Sequence, residues 1–508
     1  MNQKENIQRS VYFVLALLCL SFLAWNAVTL KMEYYDGIQY LVSGLGLVGA
    51  PWKIIPKNIQ MTCLTGAGSW LSLKLGIKPD LTFFHLLFFS FSLLTLFISA
   101  RCIKRFQASI PFFAIVGLGA CNRLFVHYSS FCLPDILCAL WVTLWFNLEF
   151  SVGGEKKKEV YLKAILLTMM ATNRPHLIAI PLTAIVWRIL QERKSLIKQL
   201  SVIFLSLVFY LITFAIFFCF VFQERSLQSV GNGFQYFFAY AGDVNKQANQ
   251  PAYVYLEYLQ KSLTWAGIVL LLIGVCGFWQ SRKSLPQALK SLTLGSFFYF
   301  VLLLGFGQKE ARYLLPLMPC WMSLQCLGLS FLEKQKKWLG FACVLLLFES
   351  VVPEYTHFLD PLYRSNFLEE SAARIAAWSK TKHVVLVPEM AGFHPKEAFF
   401  HWNDKYFYIY HWWGQHLNFF SGISVEVRGE VHYSQYGYPI PDGIEGLAPS
   451  GTTIVVPSPT QVYTGTMAEF NYPIFALRWF PLSSTDLPVC DARVQKFCVE
   501  LFQVFPSK

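Results

Sequence analysis

Four short segments of this chain carry the residue types that could do chemistry, and all four sit at the ends of apolar runs. The first is Glu33-Tyr34-Tyr35-Asp36-Gly37-Ile38-Gln39-Tyr40-Leu41. A carboxylate held there, Asp36 first and Glu33 beside it, can take a proton from an attacking hydroxyl. The same letters also spell a capping box, with Asp36 as N-cap and Gln39 opening an amphipathic helix through about Val48. The second segment, Leu133-Pro134-Asp135-Ile136-Leu137, puts an acid just after a proline at a helix start, where the helix dipole favours it in any case. The third is the break Asn173-Arg174-Pro175, followed by His176. The fourth, Lys309-Glu310-Ala311-Arg312-Tyr313-Leu314-Leu315-Pro316, sets two cations at i and i+3, a pair able to hold a phosphate through charge-assisted hydrogen bonds. The competing reading is snorkelling to lipid headgroups, with Glu310 as a local partner. Arg123, with His127, is a further cation of the same kind.

The elements that must position these residues follow from composition. The 508 residues are 55% hydrophobic and 14% charged, against about 45–50% and 25% in soluble domains. This is a membrane chain. Its net charge of +12 gives no reason to invoke nucleic acid, because cytoplasmic loops gather Lys and Arg for topological reasons. Taking about 20 apolar residues per crossing, eleven spans are expected, at 11–30, 81–100, 108–126, 131–150, 160–172, 176–190, 201–222, 264–280, 291–306, 314–331 and 338–352. Segments assigned to the cytoplasm hold 18 Lys and Arg in 54 residues, and outer segments before the tail hold 12 in 112. That contrast implies a cytoplasmic N-terminus and an outward C-terminus. The first run is long and lacks a small-x-small site after it, so it reads as an uncleaved anchor. All four chemical segments, and Arg123, then fall on the outer side, where ionisable groups at membrane depth mark a site.

Beyond Pro353 the chain turns rich in Gly, Pro, Asp and Tyr, so two domains are expected, 1–352 in the membrane and 353–508 outside it. A helix over Asn366 to Lys380 and strands at Val384 to Val387 and Thr452 to Val456 indicate a small α/β domain. Of thirteen Cys, only Cys490 and Cys498 lie there, as a disulfide or as two thiols. The aromatic stretch Lys405 to His416 reads as domain core, and His411 and His416 within it as structural.

Some motifs mislead. Gly44, Gly46 and Gly49 spell the dinucleotide fingerprint GxGxxG, but without the strand and βαβ unit its mechanism needs. They read as small residues of a helix or re-entrant segment. Ser195-Leu196-Ile197-Lys198 lies in a basic loop without companion motifs.

Together the segments around Asp36, Asp135, Arg174 and Lys309–Pro316, with Gln250-Pro251-Ala252-Tyr253-Val254-Tyr255-Leu256, resemble the GT-C class of polytopic glycosyltransferases. Within it they are most similar to the protein O-mannosyltransferase and lipid A aminoarabinose transferase group. The resemblance implies transfer of a sugar from a polyprenyl-phosphate carrier, outside the membrane and with inversion, to a lipid, glycan or protein acceptor, as in a bacterial inner membrane. It implies Asp36 as catalytic base, with Glu33 and Asp135 as supporting acids. Lys309 and Arg312 would contact the carrier phosphate, then Arg174, then Arg123. The sequence departs from the family where many members carry a second acid after the aspartate; here it is Gly37.

The chemistry agrees with that division. A departing phosphate needs cations more than an acid, and an attacking hydroxyl needs a base. No cofactor is required, although Asp36, Glu33 and Asp135 together would suit one divalent cation. A transporter or lipid flippase is the alternative. Such proteins commonly show repeated halves and groups near the midplane, and neither is visible here. A third reading, an assembly scaffold, gives no reason for Asp36 opposite an outward basic turn.

Overall fold

The computed structural model describes residues 3–33, 35–50, 58–77, 79–150, 157–191, 196–221, 251–306 and 309–357. In the C-terminal part it describes 369, 372–373, 383–386, 416, 419–420, 424–427, 453–463, 474–478, 489–490 and 498–503. The aromatic stretch up to Gln415, His411, Ser195 and most of the expected helix over 366–380 lie outside the described residues. The chain divides into two compact units. One comprises Met1–Val28, Lys57–Met61 and His85–Thr356; the other comprises Thr29–Pro56, Thr62–Phe84 and His357–Lys508.

The first unit is helical. Its main elements are α1 (Gln3–Thr29), α4 (Leu81–Lys104), α5 (Phe112–Ala120), α6 (Arg123–Tyr128), α7 (Pro134–Phe150), α8 (Lys157–Asn173) and α9 (Ala179–Gln191). There follow α10 (Leu196–Val221), α11 (Val254–Ser281), α12 (Gln287–Leu304), α13 (Met318–Gln335) and α14 (Lys337–His357). Six helical segments among the described residues are long and apolar enough to cross a membrane: Asn6–Thr29, Leu81–Lys104, Leu196–Phe217, Val254–Ser281, Gln287–Leu304 and Ala311–Gln335. This is an integral membrane protein. Apart from 108–126, the expected spans lie mainly on helix, but those at 131–150, 160–172, 176–190 and 338–352 are not among these six segments. Residues 108–126 do not form a single span; they break into α5, nine residues, and α6, six. Asn122 makes the break, its Oδ1 accepting from the Phe125 backbone N–H at 3.1 Å, so its side chain starts a new helix. An apolar tally cannot see a cap inside an apolar run.

Other breaks fall where the sequence places them. α8 stops at Asn173, and Arg174 is extended (φ −144°, ψ 101°), as a residue before proline prefers. A 3-10 turn, Pro175–Ile178, leads into α9. In α11 the backbone breaks at Thr264 (φ 58°, ψ 167°), at the start of the expected span 264–280.

Packing is close where small residues meet. A methyl group on Gly274 of α11 would overlap the Leu324 carbonyl of α13, and one on Gly328 would overlap the Leu270 carbonyl. The two backbones therefore touch, as membrane helices do at small-residue crossings. α13 is buried along almost its whole length. The last turn of α7, the start of α8 and the end of α9 are joined by a buried ion cluster. Lys163 Nζ lies 3.0 Å from both Glu149 and Glu159, and the Arg188 guanidinium lies 2.7 Å from Glu149. Removing one member of such a cluster costs about 3–5 kcal/mol, so it holds these three helices in register.

In the second unit, α2 (Tyr35–Leu47) and α3 (Ile59–Lys74) approach closely, with Gly44 against Thr65 and Gly66. The fingerprint-like glycines are thus helix-packing residues. The Thr65 hydroxyl donates to the Tyr40 carbonyl at 2.8 Å. The described strands form one mixed sheet in the order β2-β1-β3-β6-β5, with β4 also on β3, where β2 is Ser424–Val427 and β4 is Ile474–Arg478. β1 (His383–Leu386) falls on the first expected strand, and β3 (Thr453–Tyr463) covers the second but runs on past Pro457; the two pair in parallel, and β6 (Cys498–Gln503) is antiparallel to β3.

The antiparallel pair β5 (Val489–Cys490) and β6 sets Cys490 directly opposite Cys498. Facing residues in such a pair have Cα atoms about 4.5–5.5 Å apart, inside the range a disulfide spans. In an oxidising compartment the pair is expected to close. Differential alkylation and peptide mass spectrometry should label both cysteines only after reduction; labelling of both in the unreduced protein would exclude the bond.

Candidate active site

The turn carrying Lys309 to Arg312 is extended at Glu310 (φ −126°, ψ 137°) and then winds into a buried 3-10 turn, Ala311–Leu317, that runs into α13. Pro316 and Pro319 favour this geometry, because each removes a donor that a regular helix would use. α6 and α7 pack against the same turn. The result is a meeting of three segments that the sequence keeps far apart.

Asp135 stands at the centre, on the first turn of α7. Its Oδ2 accepts from Arg174 Nη2 at 3.2 Å and lies 3.7 Å from Arg312 Nε. Glu310 Oε2 pairs with the same Arg312 nitrogen. The Asp135 and Arg312 side chains are only 2% and 3% exposed, so their charges must compensate one another. Arg174 lies over the Tyr313 ring at 4.5 Å and Arg312 at 5.7 Å. Tyr313 donates its hydroxyl to Glu310 Oε1 at 3.2 Å, while Tyr299 donates to the Tyr313 carbonyl at 2.9 Å. His176 stacks on Tyr299 and contacts Phe306 and Tyr313. Lys309 is buried, with its ammonium donating to the Phe306 carbonyl and 6.0 Å from the Tyr255 ring. That burial lowers its pKa. A nearby anion would oppose that shift. Arg123 opens α6, behind the cap at Asn122, on a helix packed against the turn and against α11.

Sequence reasoning identified these cations but not what aims them. Asn173 donates from Nδ2 to the Pro134 carbonyl at 3.0 Å, one residue before Asp135, just as Arg174 reaches Asp135 itself. Asn58 completes the clasp, its Nδ2 donating at 2.9 Å to both the backbone oxygen and Oδ1 of Asn173, while its Oδ1 caps Met61 N. Gln60 donates to Thr172 Oγ1 at 2.7 Å and accepts from Trp141 Nε1 at 3.1 Å. The only signal in the sequence was the Asn-Arg-Pro break itself.

The second unit carries Glu33 and Asp36. Asp36 is the second residue of α2, inside its first turn rather than at its cap, so the expected capping box is not formed. There it is buried, at the N-terminal end of α2, where acidic residues are commonly found. Glu33 is fully buried, its backbone N–H donating to His416 Nε2 at 2.8 Å. His416, read from sequence as structural, therefore fixes the acidic segment. Gly37 also acquires a reason, since a side chain there would collide with that of Glu33. Glu33 fills the space a second acid after Asp36 would need. Among the described residues no group of three or more His, Cys, Asp and Glu is placed to hold a metal ion. Asp135, one of the three acids considered as ligands, is committed to two guanidinium groups.

No family model and no curated protein sequence matches this chain. Solved structures do. ArnT from Cupriavidus metallidurans, bound to undecaprenyl phosphate, aligns with a TM-score of 0.58 and 14% identity over 92% of this chain and 97% of that one. An oligosaccharyltransferase from Archaeoglobus fulgidus, in complex with zinc and sulfate, aligns at 0.53 and 12%, over 88% and 68% of the two chains. The archaeal AglB with an inhibitory peptide and a dolichol-phosphate aligns at 0.51 and 11%, over 90% and 70%. These proteins share the GT-C fold, and the likeness shows that fold for this chain.

The clasp can be tested by a double-mutant cycle on thermal unfolding in detergent. Asn173→Ala and Asn58→Ala should each cost about 1–3 kcal/mol, because each strands a buried polar partner. The double variant should fall short of their sum by about 0.5 kcal/mol or more. Strict additivity would show that the two residues act independently.

Proposed function

We propose that the protein is an integral-membrane glycosyltransferase that moves a sugar from a polyprenyl-phosphate carrier to a hydroxyl acceptor on the outer face, with inversion. The observation that carries this reading is the gathering of Arg174 and Arg312 on Asp135, with Lys309 on the same turn. Three cations at the ends of apolar helices suit one phosphate better than any other common ligand. Support comes from the shared fold and from the polyprenyl phosphates bound to ArnT and AglB.

The step balances without a further reactant. The acceptor oxygen attacks the anomeric carbon as the bond from that carbon to the phosphate oxygen breaks. The bonding pair stays on the phosphate, where Arg312, Lys309 and Arg174 meet the growing charge, with Arg123 further out. The acceptor proton passes to Asp36. Asp135 acts through the guanidinium groups it orients, and Glu33 through the segment it shares with Asp36. The sugar, hexose or pentose, and the acceptor, lipid, glycan or protein, are fixed by contacts beyond these residues. The density of Lys and Arg supports a cytoplasmic N-terminus and an extracytoplasmic domain over 353–508, as in a bacterial inner membrane.

The test is turnover of labelled polyprenyl-phosphate sugars by the purified protein with a panel of acceptors. Asp36→Asn should abolish transfer while leaving carrier binding intact; near-normal turnover in that variant would sink the assignment of the base. Lys309→Ala and Arg312→Ala should mainly weaken carrier binding. Translocation of the carrier without transfer would favour a flippase instead.

The proposed step requires no metal, since the leaving group departs as an anion met by cations, although Asp36, Glu33 and Asp135 would suit one divalent cation if they converged. Turnover is expected to survive chelation with EDTA. Loss on chelation and recovery with one divalent ion would add that ion to the mechanism.

A further inference from the structure

We propose that Glu310 is a stand-in for the carrier phosphate, pairing with Arg312 between turnovers and exchanging with the phosphate within each one. The inference rests on the reading of Lys309, Arg312 and Arg174 as phosphate ligands. Arg312 is held by two carboxylates of unequal character. Asp135 is 2% exposed, sits in the first turn of α7 and is shared with Arg174; Glu310 is 12% exposed and lies in extended backbone just before the 3-10 turn. Withdrawing Asp135 would release both guanidinium groups at once. Withdrawing Glu310 takes one carboxylate from Arg312, which keeps Asp135, and releases the Tyr313 hydroxyl. Glu310 is therefore the carboxylate that can yield.

Charge gives the exchange its purpose. Arg174, Lys309 and Arg312 against Asp135 and Glu310 leave a net of +1. The sugar-bearing carrier is a phosphodiester of charge −1, and the cluster neutralises it as it stands. When the glycosidic bond breaks, the carrier becomes a monoester of about −1.5 to −2 at pH 7. With Glu310 withdrawn, the remaining four side chains carry +2, which matches the product and not the donor. Displacement of Glu310 thus favours the charge that develops in the transition state. Its return to Arg312 drives the spent carrier out. Glu310 is a positioning residue, acting through Arg312 and not on the sugar.

The experiment uses the full-length protein in detergent, with undecaprenyl monophosphate as probe and donor turnover read in parallel. Glu310→Gln keeps the shape and removes the competing charge. It should tighten binding of the monophosphate by about tenfold, the scale of one charge-assisted contact. It should also lower the apparent KM for donor, lower kcat through slow product release, and strengthen inhibition by the monophosphate. A merely structural role would not raise affinity. Glu310→Asp, which keeps the charge but draws it back by one methylene, should give an intermediate shift. It replaces the Gln variant if that one loses its thermal transition. Arg312→Gln should weaken binding, and the double variant should lose the tightening. If Arg312→Gln weakens binding while neither Glu310 variant strengthens it, the exchange is overturned and the phosphate site stands. If Arg312→Gln leaves binding unchanged, the phosphate reading itself fails.

Discussion

A charge near the hydrocarbon boundary cannot be left without compensation, and the pairing of Asp135 with Arg174 and Arg312 is how this protein meets that condition. Each guanidinium is worth keeping only if a carboxylate and an aromatic face receive it, because its desolvation would otherwise cost several kcal/mol. Tyr313 supplies the face for both arginines. Three segments that are distant in sequence, the start of α7, the end of α8 and the turn before α13, are thereby obliged to meet. Helix breaks that look like local defects, at Asn122, Arg174 and Glu310, are the places where side chains can turn toward one another.

The rest of the first unit keeps that meeting point still. Asn58 and Asn173 tie the segment before α3 to the ends of α7 and α8, so the residues next to both Asp135 and Arg174 are themselves held. At the other ends of α7, α8 and α9 the Glu149, Lys163 and Arg188 cluster prevents the same helices from sliding. The glycine crossing of α11 with α13 brings backbones into contact and carries the turn on a buried helix. The proposed phosphate site would gain from this rigidity, because ligands already aimed at a growing charge need no reorganisation when it appears. Glu310, more exposed than Asp135 and in extended backbone, is the exception.

Much of the fold was legible because apolar runs and loop charge obey simple solvation rules. The expected spans, 108–126 apart, lie mainly on helices, and both expected strands are present. The failure at 108–126 came from Asn122, whose side chain replaces a helix bond locally and leaves no trace in an apolar average. At the site, the residue types of Asp135, Arg174, Lys309 and Arg312 were legible, since ionisable groups at the ends of spans are costly and few. Asn58, Gln60, His416 and Tyr313 were not, because a polar or aromatic residue near a loop is ordinary until its partner is known.

What the sequence by itself determined is the solvent of each segment: which stretches lie in lipid, where they must break, and which breaks carry charge. Only the tertiary structure decided who pairs with whom. It made Asp135 the holder of two arginines, placed Glu310 on one of those same arginines, and gave Glu33 the space left by Gly37. The physical reason is range. Hydropathy is a property summed along the chain, whereas an ion pair depends on angstrom distances between residues as distant in sequence as Asp135 and Arg312, which only the packing of backbones can set.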